Sequence, residues 1–113
     1  MGKASRDKGN REERLLVKFL QGHGFGAERV PLSGAAGGRF SSDVTVPFLG
    51  LDRRIEVKVR EHGFAQIYDW LEGNDFLVVR SDRNPPLVVM PLKFAVQIAQ
   101  LVERLTKPET PVP

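Results

Sequence analysis

An acid and a base stand two residues apart in the otherwise apolar run 55–59 (IEVKV). If this run forms a strand, its side chains alternate between two faces, so Glu56 and Lys58 project from the same face. A second carboxylate, Asp43, opens the preceding apolar run, and pairing of the two strands as a hairpin would bring it to that face. Two converging carboxylates form an oxygen site suited to Mg²⁺, and the adjacent lysine can orient or deprotonate an attacking water.

A third acid is found on a helical pattern near the start of the chain. Glu13 shares a helix face with Leu16, Val17 and Leu20, and a carboxylate on a core-facing stripe needs a partner or a function. Periodicity does not separate it from Glu12, and either acid can instead stabilise the first turn of the helix. The Glu-x-Lys pair also has a structural interpretation, because such pairs are common as solvated ion pairs on strands.

The periodicity of apolar residues predicts the elements that position these side chains. Helices are predicted over 7–22, 64–71 and 92–105, and strands over 27–30, 43–46, 53–60, 76–79 and 87–90. This α-β-β-β-α-β-β-α order predicts an α/β fold, with a mixed central sheet of about five strands flanked by helices. We expect a single domain over residues 7–106, with flexible termini at 1–6 and 107–113.

Composition excludes other chemistries and indicates a polyanionic partner. The 113 residues include no cysteine and only two histidines, which excludes a disulfide scaffold, a thiolate zinc site and a cysteine nucleophile. No run approaches the ~18 apolar residues that span a bilayer, so we expect no membrane association. Residues 1–60 hold 12 Lys and Arg against 7 Asp and Glu, whereas residues 61–113 hold 5 against 7. Such an uneven balance favours one face that meets a nucleic acid.

The glycine-rich stretch 34–38, followed by Arg39, can approach phosphate closely or can be an ordinary connecting loop. No Gly-Lys-Ser/Thr follows it, so it is not a P-loop, and no nucleotide cofactor is expected.

Read in chain order, these segments resemble the PD-(D/E)xK nuclease superfamily, and within it the archaeal-type Holliday junction resolvases and small prophage-borne relatives. The resemblance covers about residues 7–71 and rests on four strings: KGNREERL from Lys8, RVPLSG from Arg29, Asp43-Val44, and IEVK from Ile55. One departure is that Ser42 precedes Asp43 where many members have proline.

The resemblance implies a restriction-endonuclease-like fold and a metal site for Mg²⁺, with Mn²⁺ as a substitute. The implied metal ligands are Asp43, Glu56, the backbone carbonyl of Val57 and, in a supporting role toward the metal or its waters, Glu13. Lys58 would act on the nucleophilic water. Ser33 matches the loop serine of the resolvases, and Gln66 lies where similar nucleases carry a polar assisting residue.

We therefore expect an endonuclease that attacks DNA phosphates in line with water and acts on Holliday or similar branched DNA in recombination and repair. Two symmetric cuts from subunits with one site each favour a homodimer. The expected location is cytoplasmic, in a prokaryote or encoded by a phage. Expected DNA contacts are Lys8, Arg11, Arg29, Ser33, Gly34, Arg39 and Arg60. Two alternatives stay open: a restriction, repair or phage DNA-processing nickase of the same fold, and a non-catalytic DNA-binding module.

Overall fold

The computed structural model describes residues 3–30 and 42–106, with the backbone alone for residues 3–6. The elements are α1 (Lys3–Gly22), β1 (Glu28–Arg29), β2 (Val44–Phe48), β3 (Leu51–Ile55), α2 (Ala65–Leu71), β4 (Leu77–Val79), β5 (Leu87–Val89) and α3 (Leu92–Thr106). The predicted mixed α/β class is confirmed. The first of two compact units comprises the described residues up to Val59 together with those from Gln100 onward, and the second comprises Arg60–Ala99.

The strands form two antiparallel sheets. One has three strands in the order β1-β2-β3, and the other consists of β4 and β5. The prediction of one sheet of about five strands is therefore wrong for the described residues. The physical reason lies at β3, which pairs with β2 along one edge and with no described strand along the other, so the hydrogen-bonded ladder ends there.

Helix α1 ends where its glycines predict. Gly24 has a φ of +91°, the left-handed conformation that glycine adopts without steric cost. The Phe25 N–H donates to the Leu20 carbonyl at 3.0 Å and the Gly24 N–H donates to the Gln21 carbonyl at 3.0 Å. This is the Schellman arrangement, and its flanking residues Leu20 and Phe25 are both buried. The cap turns the chain toward β1 and helps to fix α1 against the first sheet.

The core of the first unit is small and lies beneath the β2–β3 hairpin. Its buried apolar residues are Leu20, Phe25, Ala27, Val44 and Val46. A two-residue turn, Leu49-Gly50, joins Phe48 to Leu51, which face each other across the hairpin. Both turn residues have positive φ, +53° and +80°, as a type I′ turn requires. The hairpin register therefore fixes which residues at its open end meet.

Strand β2 runs through Pro47 to Phe48, beyond the end of the predicted strand 43–46. Pro47 lies opposite Asp52, and β1 pairs only with Val44 and Thr45. The missing proline N–H therefore falls beyond the β1 ladder, where proline is tolerated.

Candidate active site

Asp43 lies at the open end of the β2–β3 hairpin. Val44 already pairs with Ile55, yet the Asp43 N–H also donates to the Ile55 carbonyl at 3.1 Å, so one residue of β3 faces two of the neighbouring strand. This two-against-one arrangement is that of a β-bulge, which redirects side chains near active sites. The Asp43 carboxylate oxygen Oδ2 accepts a hydrogen bond from the Val57 N–H at 2.7 Å. The Asp43 side chain thus takes the place of the next backbone hydrogen-bond acceptor between the two strands.

The predicted strand 53–60 ends earlier than expected, at Ile55. The alternation of its side chains nevertheless continues beyond the strand, because Ile55, Val57 and Val59 are half-buried while Glu56 and Lys58 are exposed. The Val57 N–H donates to the Asp43 carboxylate and not to a backbone carbonyl of a neighbouring strand. The bulge explains the early end of β3 and the approach of Asp43 to the segment that carries Glu56.

Glu56 and Lys58 lie side by side, as the sequence predicts. Lys58 Nζ is 3.6 Å from Glu56 Oε1, and the two side chains are 58% and 53% exposed. An ion pair this open to water contributes little to stability, on the order of 0–1 kcal/mol. Breaking this ion pair therefore costs little, so either side chain can bind a substrate or an ion instead.

Glu13 is bound by Arg29, whose guanidinium is also held by Asn10. Arg29 donates to Glu13 Oε1 from Nη2 at 3.1 Å and from Nε at 3.3 Å, and Nη2 also donates to Asn10 Oδ1 at 2.9 Å. The Glu13 side chain is only 15% exposed. Because α1 begins at Lys3, Glu13 lies in the middle of the helix, and the interpretation of these acids as first-turn residues is wrong.

The donor set at the hairpin end fits a hard divalent cation. Asp43 accepts the Val57 N–H through Oδ2, and its Oδ1 accepts no hydrogen bond from the described residues. Together with the exposed Glu56 carboxylate, it offers the one or two carboxylates with which Mg²⁺ is typically bound. Across the described parts of the chain, no three His, Asp or Glu side chains lie close enough to share an ion. The structure thus brings two carboxylates and a lysine to one end of the hairpin and places Glu13 in a separate contact with Arg29.

The remaining predicted residues are distributed over the chain. Lys8 and Arg11 are exposed on α1, Arg60 is exposed after the Glu-x-Lys segment, and Gln66 lies on α2 in the second unit. Ser33, Gly34 and Arg39 lie outside the described residues. The roles assigned to all of these residues stay predictions.

The sequence does not reveal that Arg29 binds Glu13, a contact called the Arg29 clamp below. Arg29 is predicted as a DNA contact, whereas its guanidinium binds Glu13 and Asn10. The available signal is that Asn10 precedes Glu13 by three residues and so shares its helix face, and that a half-buried acid needs a cationic partner.

A cavity of about 450 Å³ lies at the other end of the hairpin, between the turn, the end of α1 and the last turns of α3. None of the predicted site residues lines it. Over residues 3–30 and 42–106, no helix combines the length and the apolar character that crossing a bilayer requires.

The α/β fold, with two carboxylates and a lysine at one hairpin end, agrees with the PD-(D/E)xK nuclease superfamily that the sequence resembles. Its sequence matches the family model described as archaeal Holliday junction resolvase (hjc) over residues 4–104 of 113. The chain belongs to this family, which implies a nuclease that acts on junction DNA in recombination and repair. It matches no curated protein and no solved structure in the corresponding comparisons.

Proposed function

We propose that this protein is a Mg²⁺-dependent endonuclease that cuts DNA phosphodiester bonds at four-way junctions. The observation that carries the proposal is the hydrogen bond from the Val57 N–H to Asp43, which brings the strand acid to the Glu56–Lys58 pair. This arrangement occurs in a chain that belongs to the resolvase family. A surface evolved only to bind DNA gains nothing from carboxylates that face phosphate, because like charges repel.

Each residue has a defined task in this proposal. Asp43, through Oδ1, and Glu56 would hold the cation, which when bound neutralises negative charge that develops on the attacked phosphate. The Val57 N–H fixes the orientation of Asp43 through Oδ2, so that the other oxygen stays available. Lys58 Nζ orients the attacking water by hydrogen bonding, and its positive charge stabilises the transition state.

The test is a side-by-side digestion of a four-way junction, a flap, linear duplex and single-stranded DNA in Mg²⁺, Mn²⁺ or EDTA. We expect symmetric cuts in the junction, no cleavage in EDTA and slow or absent cleavage of linear duplex. Cleavage of the flap or duplex with the junction left intact would favour a repair or restriction nickase of the same fold. Salt-dependent binding of DNA without cleavage in any metal would favour a binding module.

The matched variants are Asp43→Asn and Glu56→Gln, which remove charge and keep shape. Both are expected to abolish cleavage in Mg²⁺ and to leave junction binding in Ca²⁺ within about twofold of wild type, because the loss of an acid does not remove phosphate contacts. Asp52→Asn is the control, since Asp52 is an exposed acid of β3 near the turn, at the far end of the hairpin. Cleavage that survives both active-site changes would contradict the assignment.

We further propose that the active form is a twofold homodimer assembled through the second unit. Val78 and Val88 lie directly opposite each other on β4 and β5 and are 66% and 56% exposed. Tyr68 and Trp70 of α2 are also exposed. Soluble monomers rarely leave so many apolar side chains in water, and an uncharged apolar face is complementary to its own copy across a twofold axis.

A further inference from the structure

The turn between β2 and β3 places a leucine in a conformation that leucine disfavours. Leu49 has a φ of +53°, in the left-handed region where glycine and asparagine are usual and other side chains are strained. Strain of this kind persists only where surrounding contacts enforce it, and it clusters at functional positions. The Leu49 side chain is 48% exposed, so it is not needed to fill the core. Neither backbone preference nor burial therefore explains a leucine at this position.

Side-chain hydrogen bonds from two elements hold the backbone of this turn. From β3, Arg53 donates to the Phe48 carbonyl from Nε at 2.9 Å and to the Leu49 carbonyl from Nη2 at 3.4 Å. From α3, Glu103 Oε1 accepts the Leu49 N–H at 3.2 Å. Both peptide groups of Leu49 therefore have a side-chain partner, and the strained conformation is held in place while the leucine side chain stays exposed.

Apolar and cationic side chains are exposed together at this end of the hairpin, called the hairpin tip below and defined as residues 49–51 with Arg53 and Arg54. Leu51 is 62% exposed, and both arginines are exposed as well. Including the last turns of α3, the charged groups here are three cations and two acids, namely Arg53, Arg54, Arg104, Asp52 and Glu103. Some DNA-binding proteins insert leucine between base pairs from the minor groove while cations bind the phosphates. The hairpin tip has this combination of groups.

The hairpin itself sets the distance between its tip and the proposed cutting site. Leu49 follows Asp43 by six residues, and β2 fills the interval between them. At ~3.3 Å per residue, an extended strand of this length spans about 20 Å. A DNA strand advances by ~3.4 Å per nucleotide, so the same distance corresponds to about six base pairs. A duplex arm that is held at Asp43 and follows the hairpin therefore reaches its tip about six base pairs from the cut.

We infer that the hairpin tip inserts Leu49 into the minor groove of a junction arm about six base pairs from the cut, with Arg54 bound to a phosphate beside it. This inference rests on the proposed function, because it takes junction DNA as the substrate. The net positive charge around the turn favours a polyanion over the apolar cleft of another protein. Insertion of the leucine would partly unstack one base step and bend the arm.

The experiment uses four-way junctions that carry one 2-aminopurine at successive positions of an arm, bound by the protein in Ca²⁺. The fluorescence of this base rises when it is unstacked. We expect wild-type protein to raise it at about six base pairs from the cut and not at three. Leu49→Asn is expected to lose this rise and to bind the junction roughly tenfold more weakly, because the apolar contact is lost. No rise at any position with wild-type protein, or an equal rise with Leu49→Asn, would overturn the inference.

Asparagine adopts positive φ readily, so Leu49→Asn preserves the turn, and weaker DNA binding would not reflect unfolding. Leu105→Asn is the matched control, because it removes the same side chain from a residue of α3 that is 75% exposed, and it should keep both the rise and the affinity. If Leu49→Asn does not fold, Leu51→Thr takes its place, since threonine suits an exposed strand position. Wild-type fluorescence and affinity in the tip variant would leave the leucines to a protein partner and contradict the inference.

The salt dependence of junction binding in EDTA tests the arginine separately. Arg54→Gln is expected to make the slope of log K against log salt shallower by about 0.9, as the loss of one phosphate contact requires. Arg80→Gln, which removes the same charge from an exposed residue after β4, should keep the wild-type slope. A wild-type slope for Arg54→Gln would contradict the phosphate contact. Wild-type protein that raises the fluorescence without cutting would contradict the proposed function alone, whereas cutting without a rise would contradict this inference alone.

Discussion

Lys58 is more than half exposed and is paired only loosely with Glu56, at 3.6 Å. The pair therefore adds little to folding, and this agrees with the proposed role of Lys58 in the reaction. Lys58→Ala is expected to lower the rate of junction cleavage by about 10²–10⁴-fold, the range for loss of a group that assists proton transfer. Single-turnover kinetics would measure the effect.

The same change should leave the unfolding free energy within about 0.5 kcal/mol of wild type, because exposed substitutions away from special contacts are near neutral. Lys93→Ala, an exposed lysine at the start of α3, is the control and should cut at the wild-type rate. Wild-type cleavage by Lys58→Ala would show that the lysine is only a solvated partner of Glu56.

Asp43 has a structural task in addition to its proposed catalytic one. Its Oδ2 atom takes the Val57 N–H at 2.7 Å, the bond that closes the hairpin end after β3 stops. Asp43→Asn keeps an oxygen acceptor, whereas Asp43→Ala leaves the N–H without one. We expect the alanine variant to be less stable than the asparagine variant by about 1–2 kcal/mol, measured by urea denaturation. Equal stabilities of the two variants would mean that water satisfies the Val57 N–H as well as the side-chain oxygen does.

At the scale of elements, the turn between β2 and β3 carries backbone strain at Leu49. A type I′ turn needs positive φ at both positions, which glycine and asparagine adopt readily and leucine does not. Leu49→Asn is expected to raise the unfolding free energy by about 0.5–1 kcal/mol and Gly50→Ala to lower it by about 1 kcal/mol. An added Cβ at Gly50 meets nothing within 4 Å, so the loss would be purely conformational.

Gly9→Ala provides a control of opposite sign. Gly9 lies inside α1, and a Cβ there also meets nothing within 4 Å. Alanine is favoured over glycine in a helix interior by about 1 kcal/mol, so this variant should be more stable than wild type. A glycine-to-alanine substitution would then stabilise α1 and destabilise the turn between β2 and β3, as the backbone conformation at each position requires. A loss of stability in both variants would contradict this account.

The elements that can be predicted from the sequence are those with local signals. Helix α1 is recognisable from its apolar stripe, and Gly24 marks its end. The end of β3 is not predictable, because alternation continues through Val59 while the strand stops at Ile55. What stops it is the bulge at Asp43, a contact between segments twelve residues apart that no local pattern records.

The candidate site likewise has features that local sequence patterns predict and features that depend on contacts between distant segments. Glu56 and Lys58 meet because they are two residues apart on an extended chain, and this follows from periodicity. The clamp of Arg29 on Glu13 joins residues sixteen apart and depends on how α1 packs on β1, which is a tertiary property. The sequence therefore identifies candidate site residues more readily than it identifies the contacts that hold them in place.

At the scale of the whole molecule, the proposed function gives each chain a single site, and resolution of a four-way junction needs two symmetric cuts. The exposed valines of β4 and β5 form a face that a second copy can cover, and a charge placed there would appear twice across the twofold axis. Val88→Glu is therefore expected to convert a dimer into a monomer of 12.6 kDa, as measured by sedimentation equilibrium. The substitution should not unfold the chain, because Val88 is already more than half exposed.

Gln97→Glu adds the same charge to an exposed polar residue of α3 and should remain dimeric. Loss of the dimer also has a consequence for the reaction. Because the acids and the lysine of the proposed site come from a single chain, monomeric Val88→Glu should still nick one strand of a junction while losing the paired cuts made in one binding event. A Val88→Glu protein that sediments as a dimer and cuts both strands together would place the interface elsewhere on the surface and leave the site assignment untouched.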